Sequence, residues 1–331
     1  MSAADDPVFA LDRRAVARSF DRASSTYDAA AALQELVRTE LLERLHFLRC
    51  EPQRIVDLGC GTGVAALQLA RSYPLAEVLA LDIAPGMLAS ATASARAALN
   101  AAPLRRAAHQ LPAGVLARLP RRLRALLARP LLLLCADATR LPLAAASVDL
   151  VFSSLMLQWC QDLDRAFAEA QRVLRPGGLL LFSTFGPGTL AELREAWSQA
   201  DGYNHVNRFI DVHDVGSALG RQGFTEPVLD VDRVSRDCAQ VRDLVRELKL
   251  IGAHNVTRGR ARGLTGRQRW LQMQLAYESQ RVNGRLPVTY EVIYGCAWAP
   301  RAKRTGALPV KAGVAGVAEV VIDVSQIGRR R

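Results

Sequence analysis

Three things are missing from this chain of 331 residues, and each argues against a class of protein. No apolar run approaches the roughly 18 residues that span a bilayer. The longest, such as Pro130 to Ala136 and Leu179 to Phe182, have the length of buried strands. No amino-terminal stretch joins a basic segment to an apolar run, since Met1 to Arg14 carries Asp5, Asp6 and Asp12. A secretion signal is therefore not expected, and a cytoplasmic location is the default. No two of the six cysteines (Cys50, Cys60, Cys135, Cys160, Cys238 and Cys296) form a CxxC pair. They read as free thiols in a reducing compartment, and no metal site is expected.

Acids are missing locally as well. Arg96 to Arg129 holds eight arginines and no Asp or Glu, and Arg301 to Arg331 holds seven basic residues against Glu319 and Asp323. Those stretches carry more than the whole net charge of +11, so the remainder is weakly acidic. Such patches bind nucleic acid, membranes or acidic proteins, or simply solvate a surface.

What is present is an alternation of strands and helices. Half of the residues are apolar, enough for one large core. Leu33, Leu36, Val37, Leu41, Leu45 and Leu48 share one helical face. Strands are expected at 54–58, 77–82, 131–135, 148–153 and 179–184, with helices at 64–72, 85–99 and 164–174 between them. Pro176-Gly177-Gly178 is expected to end the last of these helices. Beyond it the pattern predicts helices at 212–222, 239–250 and 269–280. It predicts strands at 228–234 and 288–298, the second closing the sheet as an antiparallel edge. The fold class is α/β, a Rossmann-like doubly wound, mostly parallel seven-stranded sheet with helical lid insertions. One domain is expected over 1–300. It would hold a basic insertion at 100–130 and helical substrate or lid segments at 186–222 and 236–286, with a basic tail at 301–331.

The sharpest signal is Ile55-Val56-Asp57-Leu58-Gly59-Cys60-Gly61-Thr62-Gly63, where the first strand meets the first following helix. Glycines there let the backbone turn tightly and pass close to a ligand. A dinucleotide site would read G-x-G-x-x-G, but here the third glycine comes one residue early. Asp57 precedes the first glycine by two residues, and a carboxylate suits a cationic amino-acid ligand better than a pyrophosphate. The pattern resembles motif I of class I methyltransferases that use S-adenosylmethionine, with Asp57, Gly59, Gly61 and Gly63 as its members. The resemblance implies that Asp82 takes the ribose hydroxyls, that Ile83 and Met87 flank the adenine, and that Asp137-Ala138 meets its amino group. It places Ser153 at the carboxyl edge of the fourth strand.

A closer resemblance covers residues 15–99 and 131–298. Phe20-Asp21-Arg22-Ala23, Leu157-Gln158-Trp159-Cys160, Phe182-Ser183-Thr184-Phe185-Gly186-Pro187, His205-Val206-Asn207 and Tyr290-Glu291-Val292 are similar to the malonyl-acyl carrier protein O-methyltransferases of biotin synthesis. That family implies esterification of the free carboxylate of malonyl-acyl carrier protein or malonyl-CoA, so that a chain-elongating system accepts the masked acid. A carboxylate is already ionised at neutral pH and needs alignment and a charge clamp rather than a base. The expected site residues are Tyr27 as a lid over the cofactor, Gln158 and Trp159 lining the transfer cavity, and Arg208 as the clamp. His205 and His213 read as packing groups. One departure stands out: the family usually has an acid after Gly186-Pro187, and this chain has Gly188. Docking of an acidic carrier protein on Arg258, Arg260, Arg262, Arg267 and Arg269, or on the insertion, is expected.

Three other readings remain open. The acceptor would be a free small molecule such as a quinone or polyketide intermediate. It would be nucleic acid, although Ser153-Ser154-Leu155-Met156 lacks the Pro-Pro signature of amino-directed DNA enzymes, so neither nucleic acid nor membrane is expected as a partner. Or the chain would bind the cofactor without turnover.

Overall fold

The computed structural model describes residues 9–48, 50–100, 131–261 and 263–301. The basic insertion and the basic tail lie outside the described residues, apart from their end residues Asn100 and Arg301.

The sheet is built from β1 (Arg54–Leu58), β2 (Glu77–Asp82), β3 (Leu132–Cys135), β4 (Val148–Ser154), β5 (Leu174–Phe185), β6 (Thr225–Cys238) and β7 (Leu286–Trp298), in the order β3-β2-β1-β4-β5-β7-β6. Around it lie α1 (Arg13–Ala23), α2 (Tyr27–Ala30), α3 (Ala32–Phe47), α4 (Val64–Ser72), α5 (Pro85–Asn100), α6 (Leu163–Val173), α7 (Ala191–Ser198), α8 (Val212–Arg221), α9 (Val241–Leu250) and α10 (Arg267–Glu278). The first five strands are parallel, with β1 between β2 and β4.

Side chains alternate across a strand, and here both faces are covered. Ile55, Leu150, Phe152, Leu179 and Leu181 join one core with α3, α4 and α10. Val56, Val151, Leu180 and Phe182 join the other with α6 and α8. Strands buried on both sides are apolar over the buried stretch, as at Ile55-Val56, Leu150-Val151-Phe152 and Leu179 to Phe182. Truncating Phe152, which is fully buried, to Ala should cost about 3–5 kcal/mol. The helices over the second face start cleanly: Asp162 accepts from the Arg165 amide at 2.8 Å and Asp211 from the His213 amide at 2.8 Å, each cap being worth about 1 kcal/mol.

Four details differ from the expectation. Arg175 to Gly178 does not form a separate helix stop. α6 ends at Val173, Leu174 is already extended and pairs with Val148, and the Gly177 amide donates to the Ala299 carbonyl at 3.0 Å. β7 is antiparallel but lies one strand in from the edge, because it pairs with β5 and β6. Val292 and Ile293 are fully buried on opposite faces, while most of β6 is exposed, so β6 is the edge. Leu36, expected on the buried face of α3, is half exposed. α1 and α2 have no counterpart in the sequence pattern, whereas α7 falls within the helical segment expected at 186–222.

Candidate active site

A cavity of about 270 Å3 opens where the glycine loop leaves β1 and where β2, β3 and β4 end. The loop is pinned to β2: the Gly59 and Cys60 amides both donate to the Leu81 carbonyl, at 2.8 and 2.9 Å. Asp82 completes the clamp. Its Oδ2 accepts from the Gly61 amide at 2.9 Å and its Oδ1 from the Ala84 amide at 2.8 Å. Burial pushes its carboxyl upward, against the pull of those amides.

Gly59, Gly61, Asp82, Ile83, Met87, Asp137 and Ala138 all line this cavity. Gly61 has φ +52°, and a Cβ there would meet no protein atom within 4 Å, so the backbone faces open space. Gly63, Asp57 and Ser153 do not line it. Gly63 instead caps α4 at φ +83°, where a Cβ would come within 2.9 Å of the Ala91 methyl. Ser153 is buried and its Oγ donates to the Leu58 carbonyl at 2.9 Å. Its neighbour Ser154, one step along the strand and therefore on the other face, reaches the cavity. Asp57 lies buried behind the loop with Oδ2 lacking any hydrogen-bond partner. Burial first, and Asp82 second, push its carboxyl up to about 7.

The open backbone at Gly61, the acid at Asp82 and the apolar walls at Ile83 and Met87 fit a nucleoside carrying an amino-acid tail. Asp137 is engaged on both oxygens: Thr139 donates to Oδ1 from its amide at 2.8 Å and its hydroxyl at 2.9 Å, and Arg13 pairs with Oδ2. Leu11, Arg13, Val16 and Phe20 line the same cavity from α1 and the residues before it. The 16, 20, 23 spacing of Val16, Phe20 and Ala23 is the helical signal that would have found them.

A second cavity, of about 90 Å3, lies beside the first, and Phe20, Tyr27, Leu155 and Trp159 line both. Phe20 packs edge-on to Trp159, centroids 5.1 Å apart. Tyr27 is held by its neighbours: the Thr26 hydroxyl donates to the Leu250 carbonyl at 2.7 Å, and the Thr62 hydroxyl of the glycine loop donates to Asp28 at 2.7 Å. Burial pushes the Tyr27 phenol well up, so it is neutral and no base. Gln158 is locked, donating to the Leu155 carbonyl at 2.6 Å and accepting from the Thr184 hydroxyl at 3.2 Å.

The rest of the second cavity is mostly apolar, including Phe185, Leu193, Phe209 and Ile251, with His205, Asn207, His254 and Asn255 supplying polar atoms. Burial, with Lys249 and Arg22 nearby, lowers the His254 pKa, so its imidazole is neutral. Glu247, the acid of this wall, is paired with Arg236 at 2.6 Å. Arg208 is not part of either cavity. Val206 and Asn207 turn inward, and Arg208 turns out to the surface, its guanidinium 5.3 Å from the Phe9 ring centroid. Arg208, expected as the clamp, therefore faces away from both cavities, and Glu247, already paired, is the one charged side chain among the residues lining the second. Glu291 fills the space beside Gly186 and Gly188: a Cβ at 188 would come within 2.6 Å of its Oε2. A carboxylate is thus present near the departure, supplied by β7.

Among the described residues no cluster of His, Cys, Asp and Glu is arranged to hold a metal, and no helix is long and apolar enough to cross a membrane.

A methyltransferase domain model matches residues 56–182. The malonyl-[acyl-carrier protein] O-methyltransferase of Laribacter hongkongensis is 49% identical over 295 residues, covering 89% of this chain and 92% of that protein. The chain belongs to the malonyl-[acyl-carrier protein] O-methyltransferase family. Within the same similarity, the biotin biosynthesis bifunctional protein BioHC of Cellvibrio japonicus is 41% identical over 286 residues, 86% of this chain and 50% of that one. The YcgJ protein of Bacillus subtilis shares the fold, with TM-score 0.50 at 15% identity over 79% of this chain and 98% of that chain.

Proposed function

We propose that this enzyme binds S-adenosylmethionine in the first cavity and esterifies the free carboxylate of malonyl-acyl carrier protein held in the second, giving the malonyl methyl ester at an early step of biotin synthesis. The observation that carries this reading is the meeting of the two cavities at Phe20, Tyr27, Leu155 and Trp159. Its support in sequence is the near-full-length similarity to proteins of that name.

When bound, S-adenosylmethionine supplies a methyl group on a cationic sulfonium. The chain does the rest by position. Asp82 and the Gly61 backbone would hold the nucleoside, and Asp57, whose buried oxygen lacks a donor, would favour positive charge on the amino-acid side. Trp159, Phe20 and Tyr27 exclude water from the junction. Water exclusion matters because a desolvated carboxylate is the better nucleophile, and alignment alone supplies several kcal/mol. No base is required: the Tyr27 phenol is neutral and Glu247 is bound to Arg236. His254 and Asn255, neutral and lining the acyl cavity, would orient the carboxylate without quenching its charge.

The exposed arginines Arg258, Arg267 and Arg269 would speed encounter with an acidic carrier protein, so the carrier-bound substrate should be preferred to malonyl-CoA at low salt. The test uses labelled S-adenosylmethionine with malonyl-carrier, acetyl-carrier and malonyl-CoA. Labelled ester on malonyl species alone supports the reading; label on a free small-molecule acceptor, with none on malonyl species, would overturn it.

A further inference from the structure

A third cavity, of about 250 Å3, adjoins the acyl cavity, and His205 and Val206 line both. Its other walls come from α7 and the following loop and include Arg194, Trp197, Asp201, Gly202 and Tyr203. The partition between the two spaces is built with care. The His205 ring stacks on Trp197, centroids 3.7 Å apart and planes within 6°. His205 Nε2–H donates to Asp201 Oδ1 at 2.8 Å, and the Tyr203 amide donates to the same oxygen at 3.0 Å.

Asp201 is left half satisfied. Its side chain is nine-tenths buried, yet Oδ2 has no hydrogen-bond partner. The nearest cation, the Arg269 guanidinium, stands 3.7 Å away, beyond hydrogen-bond reach, and lies over the Tyr203 ring. Burial works against the charge, but the donors from Tyr203 and His205 keep this carboxyl below its usual range, so Asp201 is an ionised acceptor. A buried acceptor without a donor is costly, and a carboxylate can only accept. It therefore suits a ligand N–H.

Resting on the function proposed above, we infer that this outer cavity takes the amide-bearing arm that joins the malonyl thioester to its carrier, and that Asp201 Oδ2 accepts an amide N–H of that arm. The acyl cavity, at about 90 Å3, is much smaller than the outer cavity at about 250 Å3 and suits the short acyl group. A pantetheine-type arm is long and carries two secondary amides, so it needs room and acceptors outside that cavity. Arg269, half exposed and next to Asp201 and Tyr203 of that cavity, would meet the anionic end of such an arm.

Two variants test this. In Asp201→Asn the amide oxygen still accepts from His205, so an NH2 group faces the arm in place of an acceptor. In Gly202→Trp a large side chain plugs the outer cavity: a Cβ at 202 meets nothing within 4 Å and its φ is not positive. Each is assayed with S-malonyl-pantetheine and with malonic acid S-ethyl monothioester, which has no arm, alongside thermal melting. Both variants should raise KM for the pantetheine substrate about tenfold relative to the armless one, with kcat on it within about twofold. Equal losses on both substrates, or no loss on either, would overturn the assignment. Should Asp201→Asn fail to fold, Gly202→Trp decides alone. If the wild-type enzyme esterifies neither malonyl thioester, the proposed function falls, and this inference with it; wild-type turnover of both without discrimination by the variants removes only the inference.

Discussion

Phe20 of α1 meets Trp159, in the turn after β4, edge to face at 5.1 Å, and the two rings stand at the junction of the cofactor and acyl cavities. Residues 139 positions apart in sequence thus meet where, under the proposed function, the methyl group would pass. Replacing Phe20 with Ala removes one ring and admits water. The expected result is a fall in kcat of about ten- to a hundredfold, with a loss of stability near 1 kcal/mol from the lost aromatic pair. Single-turnover rates and a denaturant melt measure both; unchanged kcat would show that the ring pair only packs.

Asp82 bridges the glycine loop and the turn after β2 through two backbone amides. Asp82→Ala loses those bonds and the acceptor for a ribose. S-adenosylmethionine affinity should weaken by at least about thirtyfold, and S-adenosylhomocysteine affinity by a similar factor, since both share the ribose. Calorimetric titration measures this, and retained tight binding would contradict the assignment.

Tyr27→Phe separates lid from base. Burial holds the Tyr27 phenol neutral, so removing its hydroxyl should leave kcat within about threefold and the shape of the pH–rate profile unchanged. Loss of an ionisation limb from that profile would instead make the phenol a proton-transfer group.

Asp57 gives a pH signature. Its carboxyl is raised to about 7 in the folded protein, by burial and then by Asp82, against about 3.9 in an unfolded chain. Below the unfolded value both states hold the proton. As pH rises toward 7 the folded state retains a proton that the unfolded chain has released, so the stability present at low pH is progressively lost. Asp57→Asn removes that slope. The melting temperature of the cofactor-free enzyme should therefore fall less between about pH 5 and about pH 7.5 in the variant than in the wild type. Parallel curves would show that Asp57 is not the titrating group.

The parts of this architecture that the sequence makes legible are those whose signal is local. The apolar runs of β1, β4 and β5 announce strands buried on both faces, and α4 begins and ends at the residues expected. α1 carries the same kind of signal in weaker form, since only Val16, Phe20 and Ala23 mark its inward face. β6 reads short because its ends, Thr225-Glu226-Pro227 and Ser235-Arg236-Asp237, are polar or hold a proline and lie mostly exposed at the sheet edge. At the site, the glycine loop and Asp82 were legible because one loop carries most of them. Ser153 and Ser154 are adjacent in sequence, and the two-residue period of a strand turns only Ser154 to the cavity. Arg208 sits beside His205 and Asn207 in sequence, yet the chain turns it outward. The acyl cavity draws on α1, α2, α3, α9 and β7 as well as the loops between, and nothing in their spacing along the chain marks them as one site.

The most direct measurement of the central claim is the structure of the enzyme with S-adenosylhomocysteine and a non-hydrolysable malonyl-pantetheine amide. The account predicts the homocysteine sulfur and a malonyl carboxylate oxygen facing one another between Trp159, Phe20 and Tyr27, with the carboxylate near His254 and Asn255. A malonyl group seated elsewhere, with its carboxylate turned away from the sulfur, would contradict it.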